Sequence, residues 1–181
     1  MGWLALTGLG LDKPGIVAGV TDVLYGLGCN IEDSSMTILE RHFAVILVVS
    51  GPDTVNASQL EAALQPLQAS LGVRLFASEI PAPEGLPIRD AGGQGVIITV
   101  SGHDRTGITH RVSEELAAAG VNITDLNARI IQGEGGPVYI MLVEAIVPTG
   151  VQREALQTSL DVLADELGVE IRMRDLEPVT L

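Results

Sequence analysis

The chain predicts an α+β fold in which one β-α-β-β-α-β unit is used twice. Three observations carry this reading. The 181 residues align with themselves: Asp12-Lys13-Pro14-Gly15-Ile16 returns as Asp104-Arg105-Thr106-Gly107-Ile108, 92 positions on. Val20/Val112, Leu24/Leu116, Gly28/Gly120, Asn30/Asn122, Ile31/Ile123 and Asp33/Asp125 keep that offset. From Phe43/Tyr139 through Pro52/Pro148, Leu60/Leu156 and Gly72/Gly168 it becomes 96, so a longer hairpin in the second copy falls opposite residues 34–43. Apolar spacing also switches between strand-like runs and the 3.6-residue helical period in one order in both copies. Finally, a Pro- and Gly-rich stretch separates them.

The elements follow in order. An apolar strand opens each copy, at Trp3 to Gly8 and at Val96 to Gly102. A helix follows, with Ile16, Val20, Val23, Leu24 and Leu27, or Ile108, Val112, Leu116 and Ala119, on one face. Asp12 or Asp104 is placed to cap its start, and Gly28 or Gly120 to end it in a left-handed conformation. A hairpin comes next, Ile31 to Leu39 with Phe43 to Ser50, and Ile123 to Ile131 with Val138 to Val147. Leu60, Leu64, Leu67 and Leu71, or Leu156, Leu160, Leu163 and Leu167, mark a second helix. A last strand runs from Val73 to Ile80, or from Val169 to Leu176.

Right-handed crossovers in that order give a four-stranded antiparallel sheet with both helices on one face, the ferredoxin-like arrangement. The expected boundaries are residues 1–80 for the first domain, 81–94 for a Pro/Gly-rich linker and 95–181 for the second domain. Phe43 to Val49 is apolar at every position, whereas a strand with one wet face alternates. The helix-free face is therefore expected to be covered, by the other domain or by a second chain, and a homodimer is expected.

Composition bounds the function. A net charge of −13, with ten basic residues scattered singly, repels phosphate backbones and anionic membranes, because nucleic-acid affinity rests on clustered Lys and Arg. Direct DNA binding and membrane binding are not expected. No apolar run is long enough to span a bilayer, and the single Cys29 suits a reducing cytoplasm. His42, His103 and His110 have no counterparts in the opposite copies and no neighbours at metal-ligand spacing. Gly8-Leu9-Gly10 lacks the third glycine of a dinucleotide fingerprint, and P-loop, CxxC and Gly-x-Ser-x-Gly patterns are missing from the chain. Neither a cofactor nor a metal is expected.

The polar positions that recur are Asp12, Gly15 and Asn30, and their partners Asp104, Gly107 and Asn122. A helix start offers free N–H groups to a carboxylate, glycine permits close backbone approach, Asp accepts from an ammonium group and Asn both donates and accepts. Together they suit the two charged groups of an amino acid, and the two segments are expected at one edge of the domain. Plainer roles stand beside this one. Asp12 and Asp104 are good helix caps in their own right, and Asn30 and Asn122 can satisfy a turn. Asp33 and Asp125 read as solvated, and Cys29, matched by Val121, as a small buried hydrophobe. His103-Asp104-Arg105 can be drawn as an acid–base cluster, but the first copy reads Leu11-Asp12-Lys13, which takes repeat support from a catalytic role.

Asp12-Lys13-Pro14-Gly15-Ile16-Val17, followed by Gly28-Cys29-Asn30-Ile31-Glu32-Asp33-Ser34, resembles the ACT domain, a small-molecule regulatory module of amino-acid metabolism. Among such proteins it looks most like the glycine cleavage system transcriptional repressor family, free-standing tandems of two ACT domains. Formyltetrahydrofolate deformylases carry similar segments. The second copy keeps the general pattern but has Thr106 in place of proline. The resemblance implies ligand contacts at Asp12, Asn30 and Ile31, and at Asp104, Asn122 and Ile123. It further implies a small amino acid, glycine or serine, as ligand, and a protein partner such as a transcription factor. The expected function is that of a non-catalytic, amino-acid-binding cytoplasmic regulator. The alternative is a ligand-independent interaction module or regulatory subunit of a separately encoded metabolic enzyme.

Overall fold

The computed structural model describes residues 1–82, 92–133 and 135–176. Its chain divides into two compact units, Met1–Glu84 and Gly85–Leu181. Most of the linker expected at 81–94 lies outside the described residues, and its last two positions already belong to a strand. The first unit runs β1 (Gly2–Leu11), α1 (Ile16–Gly26), β2 (Asn30–Leu39), β3 (His42–Gly51), α2 (Ala57–Leu71) and β4 (Val73–Glu79). In the second follow β5 (Gly93–His103), α3 (Ile108–Ala118), β6 (Asn122–Gly133), β7 (Gly136–Pro148), α4 (Arg153–Leu167) and β8 (Val169–Asp175). Each unit holds an antiparallel four-stranded sheet, in the orders β2-β3-β1-β4 and β6-β7-β5-β8, as the ferredoxin-like reading requires.

The core lies between one sheet face and the helices. Leu4, Leu6, Phe43, Val45, Leu47, Val49, Val73 and Leu75 pack beneath Ile16, Val20 and Leu24 of α1 and Leu60 and Leu64 of α2. Strand alternation places these residues together, since successive side chains point to opposite faces. Val45 and Leu47 are each 6% exposed, while Ile46 between them faces the other way and is 55% exposed. Leu9 and Phe76 accompany Ile46 on that helix-free face, at 54% and 55%. The second unit repeats the core, with Ile108, Val112, Leu116, Leu156, Leu160 and Leu163 above Val96, Ile98, Val100, Met141 and Val143.

One expectation about helix ends is corrected. Asp12 and Asp104 cap nothing; the N-cap positions are Gly15 and Gly107, at φ 95° and 96°, with no side-chain capping bond. Three residues of turn separate each Asp from its helix, and only a residue free of Cβ strain enters at that angle. The C-terminal expectation holds. Gly28 sits at φ 68° and Gly120 at φ 72°. The Cys29 N–H donates to Leu24 O at 2.9 Å and the Gly28 N–H to Tyr25 O at 3.0 Å. Val121 N–H to Leu116 O and Gly120 N–H to Ala117 O repeat that Schellman pair. The longer second hairpin is also present: the first closes at Leu39 opposite His42, while the second continues to Gly133 opposite Gly136.

Candidate functional site

The recurring polar residues occupy two ends of each unit, not one edge. β1 and β2 both pair antiparallel with β3, so they run parallel. The end of one then lies opposite the start of the other across the length of the sheet. Asn30 faces Ser50, which faces Trp3 at the start of β1; Leu11 faces His42 at the far end, and Asp12 donates its N–H to Arg41 O just beyond. Asp12 and Gly15 are thus separated from Asn30 and Ile31 by nearly the length of β1, roughly 27 Å at the usual strand rise. The second unit repeats this: Asn122 and Ile123 begin β6 opposite Ile146 and Ala145, while Asp104 and Gly107 follow the far end of β5.

At the Asp12 end, the basic residue of the repeat has a structural task. The Lys13 ammonium donates to Leu71 O, the last carbonyl of α2, at 2.8 Å. The Arg105 guanidinium donates to Leu167 O, the last of α4, at 2.7 Å. A cation there satisfies an orphan carbonyl and meets the negative end of the helix dipole. This bond occupies Arg105, so the drawn His103-Asp104-Arg105 cluster has its base holding a helix. The α1 and α3 starts keep their first N–H groups free of side-chain caps.

The Asn30 end carries the denser chemistry. β2 bulges between Ile31 and Asp33, which leaves Glu32 as the extra residue; a bulge re-aims a side chain. Its carboxylate turns back along the strand. Asn30 Nδ2 donates to Glu32 Oε1 at 3.0 Å, and the hydroxyl of the fully buried Ser50 donates to the same oxygen. These bonds, that from Ser50 first and that from Asn30 second, hold the Glu32 carboxyl below its ordinary pKa, against a smaller opposing effect of desolvation. Gly28, Asn30, Ser50, Gly51, Pro52 and Asp53 line a shallow hollow of about 310 Å³ here, with the Met1 ammonium paired to Asp53. Gly51 leaves room for Cys29, whose sulfur would lie 2.7 Å from a Cβ at that position. Burial pushes the Cys29 thiol pKa up, as suits a packing residue.

The second unit keeps the bulge, between Ile123 and Asp125, but not the chemistry. Thr124 stands where Glu32 does and Ile146 where Ser50 does. The sequence pattern alone gives neither Glu32 nor Ser50 a role. The signal available was their asymmetry, a polar pair in the first copy against Thr and Ile in the second. Asp33 and Asp125 are exposed as expected, accepting from Ser34 N–H and from Asn127 Nδ2. No group of three or more His, Cys, Asp and Glu residues that could hold a metal occurs among the described residues.

Comparison with known proteins agrees with this architecture. The glycine cleavage system transcriptional repressor of Escherichia coli is 40% identical over 68 residues, 38% of this chain and 35% of that protein. A UPF0237 protein of Methanopyrus kandleri is 41% identical over 69 residues, 38% of this chain and 77% of that protein. Two solved structures share the whole fold. One is a putative glycine cleavage system transcriptional repressor, with TM-score 0.75 and 22% identity over 98% of each chain. The other, an unknown protein from Galdieria sulphuraria, has TM-score 0.80 and 23% identity over 97% of this chain and 99% of that one. The ACT domain family model matches residues 3–78 and again 94–174, one match to each unit, and the chain therefore belongs to the ACT domain family as a tandem of two such domains.

Proposed function

We propose that the protein is a non-catalytic cytoplasmic regulator that binds a small amino acid through its first ACT domain and passes the signal to a protein partner, as a relative of the glycine cleavage system repressor. The observation that carries this is the Asn30–Glu32–Ser50 cluster beside an open hollow. Both side-chain bonds to Glu32 fall on one carboxylate oxygen, and the second oxygen is the acceptor offered to an α-ammonium group. Asn30 Oδ1 and the Ile31 backbone complete the contact. Glycine and serine belong to the ligand class implied by the family. Asp12 with Gly15, and Asp104 with Gly107, enter the reading as separate turns at the far ends of the units, where the helix-start N–H groups suit a carboxylate and the Asp suits an ammonium group. Asn122 and Ile123 form the weaker counterpart, because Thr124 brings no charge. The net charge of −13 favours action through a protein partner over direct contact with DNA.

Titration calorimetry with glycine, serine and other small amino acids tests this. Saturable heat is expected with the native chain, and Asn30→Ala should lose roughly 10- to 150-fold in affinity with stability nearly unchanged. Absence of heat for every amino acid would refute it. A second reading, a ligand-independent interaction module or regulatory subunit, draws support from the structural work done by Lys13 and Arg105, which explains part of the repeat without a ligand. A pull-down in which ligand-free protein already holds its partner at full strength would favour that reading.

A further inference from the structure

The two units differ along the seam between their first helix and the sheet. In the second unit, Thr109 on α3 and Tyr139 on β7 are hydrogen-bonded hydroxyl to hydroxyl at 2.7 Å, which ties the helix to the strand. The repeat places Val17 and Phe43 at these positions, so the tie cannot form in the first unit. Ser34 also stands where the second unit has the bulkier Leu126. A hollow of about 210 Å³ lies at this seam, lined by residues of α1, β2 and β3. Val20, Phe43, Val45 and Leu47, all buried, form its inner wall, while Val17 and Met36, 49% and 53% exposed, stand at its mouth. Its lining carries no charged side chain, in a chain of net charge −13. Two hydroxyls, of Thr21 and Ser34, supply its polar side-chain groups. Thr21 gives its proton to Ala18 O at 3.0 Å, which leaves its own oxygen free to accept.

We propose that this hollow binds a neutral aromatic molecule with one N–H or O–H donor, of the indole or phenol class, its ring against Phe43 and Met36 and its donor directed to Thr21 Oγ1. Volume, wall chemistry and charge each narrow the class. An apolar cavity of roughly 150 Å³ holds benzene, so the space here admits one ring with a small fused or substituted extension. Phe43 and the Met36 sulfur favour an aromatic ring over an aliphatic group of equal size, through ring–ring and sulfur–ring contacts. A single acceptor among apolar walls suits a single donor, since a second polar group on the ligand would be buried without a partner. Acids and zwitterions, which suit the Asn30–Glu32–Ser50 cluster, are disfavoured here because an ion among such walls loses its hydration without a counter-charge. No residue lines both hollows, so the two sites are chemically and spatially separate.

Titration calorimetry and methyl NMR of the full chain with indole test the assignment. Indole is expected to bind saturably, with a dissociation constant on the order of a millimolar or tighter, and to shift the methyl resonances of Val17, Ile31 and Met36. Thr21→Val keeps the shape of the side chain and removes the acceptor. It should weaken indole roughly two- to tenfold while leaving toluene, which has no donor, unaffected. Ser34→Leu brings in the side chain that the second unit carries at position 126 and should close the mouth, weakening indole about tenfold or more. Asn30→Ala should leave indole binding unchanged whatever it does to glycine, so this site and the amino-acid site succeed or fail separately. Absence of saturable binding, shifts confined to methyl groups outside the hollow, equal losses for indole and toluene in Thr21→Val, or a Ser34→Leu variant that binds as the native chain does would each overturn the proposal.

Discussion

At the residue scale, a position that recurs and one that does not do different work. Lys13 and Arg105 belong to the most evident repeat in the chain, and their task is to hold the last carbonyl of the second helix in each unit. Lys13→Ala and Arg105→Ala should each cost about 0.5–1.5 kcal/mol in urea unfolding, the usual worth of a charge-assisted cap; no loss in either would show that water serves the carbonyl as well. Glu32 has no charged counterpart, and its effect reads through pH. Its folded pKa is depressed by the Ser50 and Asn30 bonds. Its carboxylate is therefore available to a ligand ammonium at neutral and mildly acidic pH, and any stability from those bonds is complete above the unfolded value and lost as pH falls through the lower, folded one. Calorimetry across a pH series should show amino-acid affinity flat through neutrality and falling only below the ordinary carboxylate range, with Glu32→Gln removing the dependence. Affinity that declines through the ordinary glutamate range would contradict this. The sequence named Asn30 but not its partners, because alternation has a period of two and cannot say which residue of Asn30-Ile31-Glu32-Asp33 the bulge will expel. It also joined Asp12 to Asn30 at one edge, an inference that fails because the end of one parallel strand and the start of the next lie at opposite sides of a sheet.

At the element scale most of the fold was readable. Strand and helix identities, their order and the glycine stops at Gly28 and Gly120 all follow from spacing and turn chemistry, since burial imposes those periods directly. Boundaries were short by one to three residues at several strand ends, where pairing in a ladder continues past the last apolar residue. The entry to α1 was misread because Asp is the commoner cap, yet the chain reaches the helix through Pro14 and Gly15. One cap was open to reading and was missed: Asn56 accepts from Gln59 N–H while Gln59 accepts from Asn56 N–H, a capping box at the start of α2. The same helix carries Pro66 in its interior, where Val162 stands in α4. Pro66 is exposed, so its ring fills no core, and it cannot donate to the carbonyl one turn earlier. Pro66→Ala should raise stability by about 1–2 kcal/mol, the interior proline penalty less the entropy that proline removes from the unfolded chain. An unchanged or lower denaturation midpoint would mean that the packing of α2 depends on the proline.

At the scale of the whole molecule the two units share a fold but not the Asn30–Glu32–Ser50 cluster, and an excess of negative charge is common to both. Symmetry was the first thing visible in the sequence, and recurrence marks whatever the fold needs twice, as Lys13 and Arg105 show. What separates the units is Glu32 with Ser50 against Thr124 with Ile146, and the proposed ligand contact rests on that difference. Acidic residues number 23 against ten Lys and Arg. Among the described residues, ion pairs join Asp53 to the Met1 ammonium, Glu114 and Glu166 to Arg111, Asp175 to Arg153 and Glu170 to Arg172. Most of these partners are well exposed, and such pairs contribute little, about 0–1 kcal/mol each, with salt weakening them further. Self-repulsion among the remaining carboxylates acts across the surface and is screened by the same salt, at a Debye length of about 10 Å in 0.1 M electrolyte. Two opposing effects thus respond to ionic strength, and the excess of 23 acidic over ten basic residues decides the sign. Raising sodium chloride from a few millimolar to about 0.1–0.2 M should raise the thermal midpoint on the order of a few degrees. Lowering the pH toward the isoelectric region should shrink that increment, since protonation removes the repulsion that salt screens. A midpoint that falls with salt at neutral pH would mean that the few ion pairs outweigh the excess of negative charge.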